Sequence, residues 1–224
     1  MSITWSYSTL NLYQQCPKKY YHLKVAKDVK EAPSDAIAFG NKIHKIAQEY
    51  VESDKPIPAE YVQAMQAPLD KLKAMPGEKY CENKLGLTED LKPCGFFDKK
   101  VWWRGIADII ILQDDTALTV DYKTGKKSQY ADLKQLEILA LALFKHYPHI
   151  KKVKAGLMFF FADDFVKDLY TVDQQDELWG PWVSDVGLLE DSVNSGVWNA
   201  KPNFTCRGYC PVTSCAHNQG AKNA

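Results

Sequence analysis

The chain carries no net charge: 28 lysines and arginines face 28 aspartates and glutamates in 224 residues. A polyanionic partner therefore has to be met by local patches and not by attraction of the whole molecule. There is no apolar run of membrane-spanning length, and the opening "MSITWSYSTL" lacks the basic-then-apolar layout of a signal peptide. Those absences set the expectation of a cytoplasmic protein with no membrane partner. No internal repeat or low-complexity tract occurs, which excludes solenoids, propellers and fibrous arrays. Cysteine is scarce, at 6 residues. In a reducing compartment so few thiols point to metal ligands or free thiols and away from a disulfide framework. What remains is an ordinary globular composition, 46% apolar and 25% charged, long enough to bury a sizeable core.

Charge is uneven along the chain. "CPKKYYHLKVAKDVK", "KTGKK" and "KHYPHIKKVK" are basic, whereas "ADDFVKDLYTVDQQDE" is acidic. Ser8 is placed to cap a short helix, "TLNLYQQ", that Pro17 closes. "DAIAFGNKIHKIAQEYVE" has helical periodicity, with Ile37, Gly40, His44, Ala47 and Val51 on one stripe. One more helix is expected around residues 59–73. "EKYCENKLGL", "FFDKKVWWRGIADIIIL" and "ALTVDYKT" read as strands. "SQYADLKQLEILALALFKHY" is a helix apolar on most sides and hence buried. "VKAGLMFFF" reads as a buried strand and "DLYTVD" as an edge strand. "WVSDVGLLEDSVNSG" is a last helix before an irregular, cysteine-rich tail. This order predicts an α/β or α+β fold, a central mixed β-sheet flanked by helices. One domain is expected, with a core over about 35–172 and with segments 1–34 and 173–224 packed together.

The informative stretch is "TVDYKTGKK", residues 119–127. Asp121 and Lys123 lie two apart on a strand and so share a face. Gln113, Asp114, Asp115 and Thr116 form a tight hairpin turn between this strand and "GIADIIIL". Counting outward from an Asp114-Asp115 loop puts Asp108 opposite Asp121. Opposed side chains have Cβ atoms roughly 4.5–5.5 Å apart, and like charges placed so are destabilising. Lys123 offsets part of that repulsion and a divalent cation would offset more. Hard cations take carboxylate oxygens together with substrate phosphate. The alternative is a solvent-facing hairpin with an ordinary ion pair.

"GIAD" on one strand and "DYK" on the next resemble the PD-(D/E)XK nuclease superfamily. More narrowly they are similar to its RecB-type branch, which includes nuclease domains of recombination helicases and CRISPR adaptation-associated exonucleases. The resemblance implies a restriction-endonuclease-like core and brings in a histidine on an early helix, here His44 in "FGNKIHKIA". It also brings in a glutamine on the helix after the hairpin, here Gln135 in "DLKQLEILALAL". The aromatic usual four residues later is Leu139, and the namesake proline is Ala107. On this resemblance His44, Asp108, Asp121 and the Tyr122 carbonyl hold Mg²⁺ or Mn²⁺, with Lys123 and Gln135 completing the catalytic set. Glu82 in "CENKL" is read as structural or supporting.

Cys206, Cys210 and Cys215 crowd the tail, and Cys16 precedes "PKKYY" near the other end. The resemblance implies that these four hold a [4Fe-4S] cluster, although the spacing C-x3-C-x4-C differs from the C-x2-C-x5-C of such members. The rival is a structural zinc held by the three tail cysteines with Cys16 or His217. Cys81 and Cys94 are read as core or incidental.

The expected activity is metal-dependent hydrolysis of DNA, as an exonuclease on single-stranded ends. A scaffold that binds nucleic acid without cutting it, or an endonuclease on structured or duplex DNA, stays open. Lys18, Lys19, Tyr20, Lys126 and Lys127 are the candidate DNA contacts, through phosphates and base stacking. Recombination, CRISPR adaptation and phage replication, in bacterial, archaeal or phage-infected cells, are the settings the resemblance implies.

Overall fold

A computed structural model describes residues 3–31, 34–126 and 128–220, and Lys127 lies outside them. The chain divides into two compact units, residues 34–179 and a second unit of residues 1–33 with 180–224. The split follows the chain's two ends, so each unit has its own logic.

The terminal unit begins with α1, Tyr7–Gln15. Its cap is Ser6 and not the expected Ser8: the Thr9 N–H donates to Ser6 Oγ and the Ser6 N–H to Thr9 Oγ1, a reciprocal capping box. Pro17 opens α2, Pro17–Tyr20, where its missing N–H costs nothing. A π-helical turn, Tyr21–Val25, follows. Helix α6, Gln175–Ser195, crosses from one unit to the other and admits Pro181 in its interior.

The larger unit carries α3, Asp35–Ser53, and α4, Ala59–Ala74. It continues with β1, Glu78–Leu87, β2, Pro93–Cys94, β3, Trp103–Gln113, and β4, Thr116–Lys123. After α5, Lys134–His146, come β5, Lys152–Phe159, and β6, Asp164–Thr171. The strands form one six-stranded sheet in the order β2-β1-β3-β4-β5-β6. Only β4 and β5 run parallel, because α5 carries the chain back between them. The result is a mixed sheet flanked by helices, as expected.

Alternation along the strands divides the core. Ile109 and Ile111 of β3 and Val120 and Tyr122 of β4 pack with Ile43 and Ala47 of α3 and Met65, Leu69 and Leu72 of α4. The stripe expected on α3 is narrower than the sequence reads, since Ile37 is 63% exposed. Helix α5 is buried continuously from Leu136 to Phe144, which holds its N-terminal turn against the end of β4.

Candidate active site

The hairpin register is set by a loop of two residues. Pairs run from Gln113↔Thr116 to Ile109↔Val120, with Asp114 at φ 52 in the turn. The next pair in this register is Asp108 with Asp121, and there the ladder ends. Instead of a backbone partner, the Tyr122 N–H finds the Asp108 carboxylate, at 2.6 Å to Oδ2. On the other side of β3 the ladder to β1 passes from Cys81↔Ile109 to Asn83↔Ala107 and omits Glu82 opposite Asp108. Glu82 has φ 47, a left-handed conformation that costs a non-glycine residue about 1–3 kcal/mol. Asp108 thus drops out of both ladders, and the opening receives side chains in place of backbone hydrogen bonds.

His44 reaches this opening from α3. Its Nδ1 stands 3.1 Å from Asp108 Oδ1, and its Nε2 donates to the Tyr122 carbonyl at 2.9 Å. Burial alone would lower the His44 pKa, yet the Asp108 hydrogen bond and the charges of Asp108, Asp121 and Glu82 outweigh it and raise it. Glu82 is raised too, first by burial and then by the Asp108 charge. His44, Glu82 and Asp108 bring one ligand atom each within 4.8 Å of one another.

Asp121 lies outside that threesome and in a second one. Lys123 Nζ stands 2.7 Å from Asp121 Oδ2 and donates to Gln135 Oε1 at 2.8 Å. Gln135 Nε2 donates in turn to Asp121 Oδ1, closing a ring of three side chains. The partner of the buried Oδ2 is the Lys123 ammonium. Burial, and then the Asp108 charge, push the Asp121 carboxyl up to about 6, with Lys123 pulling the other way. A buried carboxylate beside a two-carboxylate, one-imidazole set is a donor arrangement that fits a divalent cation.

The structure therefore brings His44, Asp108, Asp121, Tyr122, Lys123 and Gln135 together and adds Glu82. Glu82 does not stand out in the sequence, because β1 also carries Glu78, Lys79, Asn83 and Lys84. Its left-handed backbone has no signature in the residue type.

In the terminal unit Cys16, Cys206, Cys210 and Cys215 line one small cavity with Lys18, Lys19 and His217. Cys16 Sγ accepts the N–H groups of Lys19, at 3.5 Å, and Lys201, at 3.4 Å. A zinc ion bound at about 2.3 Å would draw tetrahedral sulfurs to about 3.8 Å of each other. Among the described residues no three of these groups approach within 4.8 Å. The four cysteines converge on one cavity.

The expected DNA contacts fare unequally. Tyr20 is buried, with its ring stacked on Trp198 at 5.9 Å, so its face is not free for a base. Lys19 is tied to Glu31 at 3.2 Å. Lys18 is half-buried at the cysteine cavity, and Lys126 is exposed just after β4.

A ladder opened at a buried aspartate, with a second carboxylate and a lysine on the adjoining strand, defines a site built for phosphate chemistry. The sequence profile of the PD-(D/E)XK nuclease superfamily matches residues 4–215, and the chain belongs to that superfamily. A candidate exonuclease from Eubacterium rectale has a similar fold: 13% identity, TM-score 0.50, covering 98% of this chain and 89% of that one. The protein SSO0001 matches over 96% of this chain and 87% of its own, at 16% identity and TM-score 0.43. No curated protein matches the chain by sequence. Nucleases of this superfamily use divalent metals and act on nucleic acid. No described helix is long and apolar enough to cross a membrane.

Proposed function

We propose that the protein is a Mg²⁺- or Mn²⁺-dependent deoxyribonuclease of the RecB-type branch, acting as an exonuclease on single-stranded DNA ends. The observation that carries this reading is the ring of Asp121, Lys123 and Gln135 beside the His44, Glu82 and Asp108 set. His44, Glu82, Asp108, Asp121 and the Tyr122 carbonyl would hold the ion. A divalent ion bound there lowers the pKa of water and polarises the phosphodiester.

The chain's own residues do the remaining work. Asp121 and Gln135 hold Lys123 Nζ in place, so its charge meets the negative charge that develops on the phosphate without reorganising. Gln135 keeps its amide orientation because its oxygen faces Lys123 and its nitrogen faces Asp121. Asp108 fixes the Tyr122 backbone, and with it the two neighbouring catalytic positions. The exonuclease named for the Eubacterium rectale protein of similar fold agrees with this reading.

The four cysteines hold a [4Fe-4S] cluster on this proposal, supported by their shared cavity. Val212 is the single tail residue among the described buried apolar ones. A tail with so little core needs a staple.

End-labelled single-stranded and duplex DNA, incubated with Mg²⁺, Mn²⁺ or chelator, tests the activity. Stepwise shortening of the single strand with either ion, and none in chelator, is expected. Internal cuts in duplex would favour the endonuclease alternative, and no cleavage with any ion would leave a binding scaffold.

A further inference from the structure

Between β2 and β3 the chain holds Phe97 out in water, with the half-buried Phe96 beside it. Phe97 is 77% exposed, and Phe96 meets it edge-on with centroids 4.9 Å apart. This is an ordered turn. The Asp98 N–H donates to the Gly95 carbonyl at 2.9 Å, the Lys100 N–H to Asp98 Oδ1 at 2.8 Å and the Val101 N–H to the Asp98 carbonyl at 3.2 Å. The next residues, Trp102 and Trp103, are buried and anchor it.

Cations surround the rings. The Arg104 guanidinium lies 5.1 Å from the Phe96 centroid, and Lys84 Nζ lies 6.0 Å from Phe96 and 5.8 Å from Phe97. Neither Lys84 nor Arg104 pairs with a carboxylate among the described residues. Lys99 and Lys100 are exposed on the same turn. Apolar rings ringed by unpaired positive charge suit a ligand with flat faces and a polyanionic spine.

The position is as telling as the chemistry. Lys84 pairs across the strands with Ile106, and Arg104 is two residues from Ile106, so the three side chains share a face. That face is open, since Ile106 is 40% exposed. Both strands run from here into the site: Glu82 precedes Lys84 by two residues, and Asp108 follows Ile106 by two. At the rise of an extended strand, Arg104 is at most about 13 Å from Asp108, a span of a few nucleotides.

Resting on the nuclease reading above, we infer that Phe97, Phe96, Lys84 and Arg104 form a platform that holds unpaired bases and their phosphates as a single strand enters the site. A base inside a duplex is already stacked on both sides, so an aromatic face selects unpaired ones. Lys84 and Arg104 would meet the phosphates on either side of the stacked base.

Fluorescence anisotropy of a labelled oligothymidylate and a blunt duplex of equal length tests this in chelator, where nothing is cut. Phe97→Ala should weaken oligothymidylate binding about 10-fold, within the range for one lost base–aromatic stack, and leave duplex binding unchanged. Phe97→Trp should retain it. Lys84→Ala should make the log–log salt dependence shallower by about 0.7. Wild-type affinity in Phe97→Ala, equal losses on both substrates, or failure of the tryptophan variant would each overturn the platform. The two readings fail separately. Wild-type protein that binds through Phe97 but cuts nothing with Mn²⁺ refutes the nuclease alone. Cleavage with Phe97-independent binding refutes the platform alone.

Discussion

Asp121→Asn should abolish cleavage and stabilise the fold, and the second effect can be sized from the structure. The carboxyl titrates at about 6 in the folded chain, against 3.8 outside it. At 1.36 kcal/mol per pH unit, keeping it ionised at pH 7 destabilises the folded state by about 3 kcal/mol. Asparagine has nearly the same shape and no charge; its Oδ1 still accepts from Gln135, but its Nδ2 then faces the Lys123 ammonium, donor against donor, which takes back part of the gain. In chelator, then, the variant should gain up to about 3 kcal/mol. At 2–4 °C per kcal/mol for a chain of this size, that is a rise in Tm of about 6–12 °C.

The pH dependence follows from the raised folded pKa. Wild type has its full stability from this group below 3.8 and loses it as pH rises through about 6, so the gap between the proteins should be widest above pH 6 and close toward pH 4. Added Mn²⁺ should raise the wild-type Tm and leave the variant little changed, because an ion bound only by the folded state stabilises it. Thermal melts across this pH range, with and without ion, are the assay. An unchanged or lower Tm for Asp121→Asn at pH 7 in chelator, or a gap that widens as pH falls, refutes the burial argument. Wild-type cutting by the variant refutes the site.

Lys123→Ala should lower the single-turnover cleavage rate by about 10²–10³ while DNA binding, read by anisotropy, stays near wild type; a parallel loss of binding would make it a docking residue. His44→Ala and Glu82→Gln should each raise the Mn²⁺ concentration for half-maximal activity by about 10-fold or more, and an unchanged requirement in Glu82→Gln would remove Glu82 from the ligand set. Protein purified without oxygen should be brown, with about four iron atoms per chain. Cys206→Ser should bleach it and lower its Tm, whereas one zinc and no iron would replace the cluster with a closed zinc site.

How much was legible in the sequence depended on how far each contact lay from a short turn. The loop at Asp114-Asp115 has two residues, so mirror counting reached the observed β3–β4 register. The connection from β1 to β3 spans 88–102, too long for such counting, and the place of Glu82 opposite Asp108 could not be read. What no count could supply is the opened ladder, because it depends on Asp108 taking the Tyr122 N–H away from the sheet. The first helix shows a smaller version of the same limit. "SYSTL" offers two serines as caps, and the choice of Ser6 rests on Thr9 being able to answer it. Tyr20 was legible as an aromatic among lysines, but its partner Trp198 is too distant in sequence for any local pattern to find.

The terminal unit draws on both ends of the chain, and this bears on how the protein is made. Trp5 stacks on Trp182 at 5.8 Å, the Tyr13 hydroxyl donates to the Leu188 carbonyl at 2.7 Å, and Tyr20 stacks on Trp198. During synthesis at about 5–20 residues per second, residues 34–179 take roughly 7–30 s to follow. That continuous stretch contains every strand of the six-stranded sheet, so the catalytic unit has all its parts while the opening segment still lacks its partners in residues 180–224. Nascent chains stalled before residue 180 should accordingly be cut by protease within residues 1–33 and resist it in the sheet. Through that interval Trp5, Leu10, Tyr13 and Tyr20 are surface that a chaperone or another nascent chain can reach. Emergence of residues 180–224 from the ribosome, and not the folding of the catalytic unit, is what withdraws that surface from the cell.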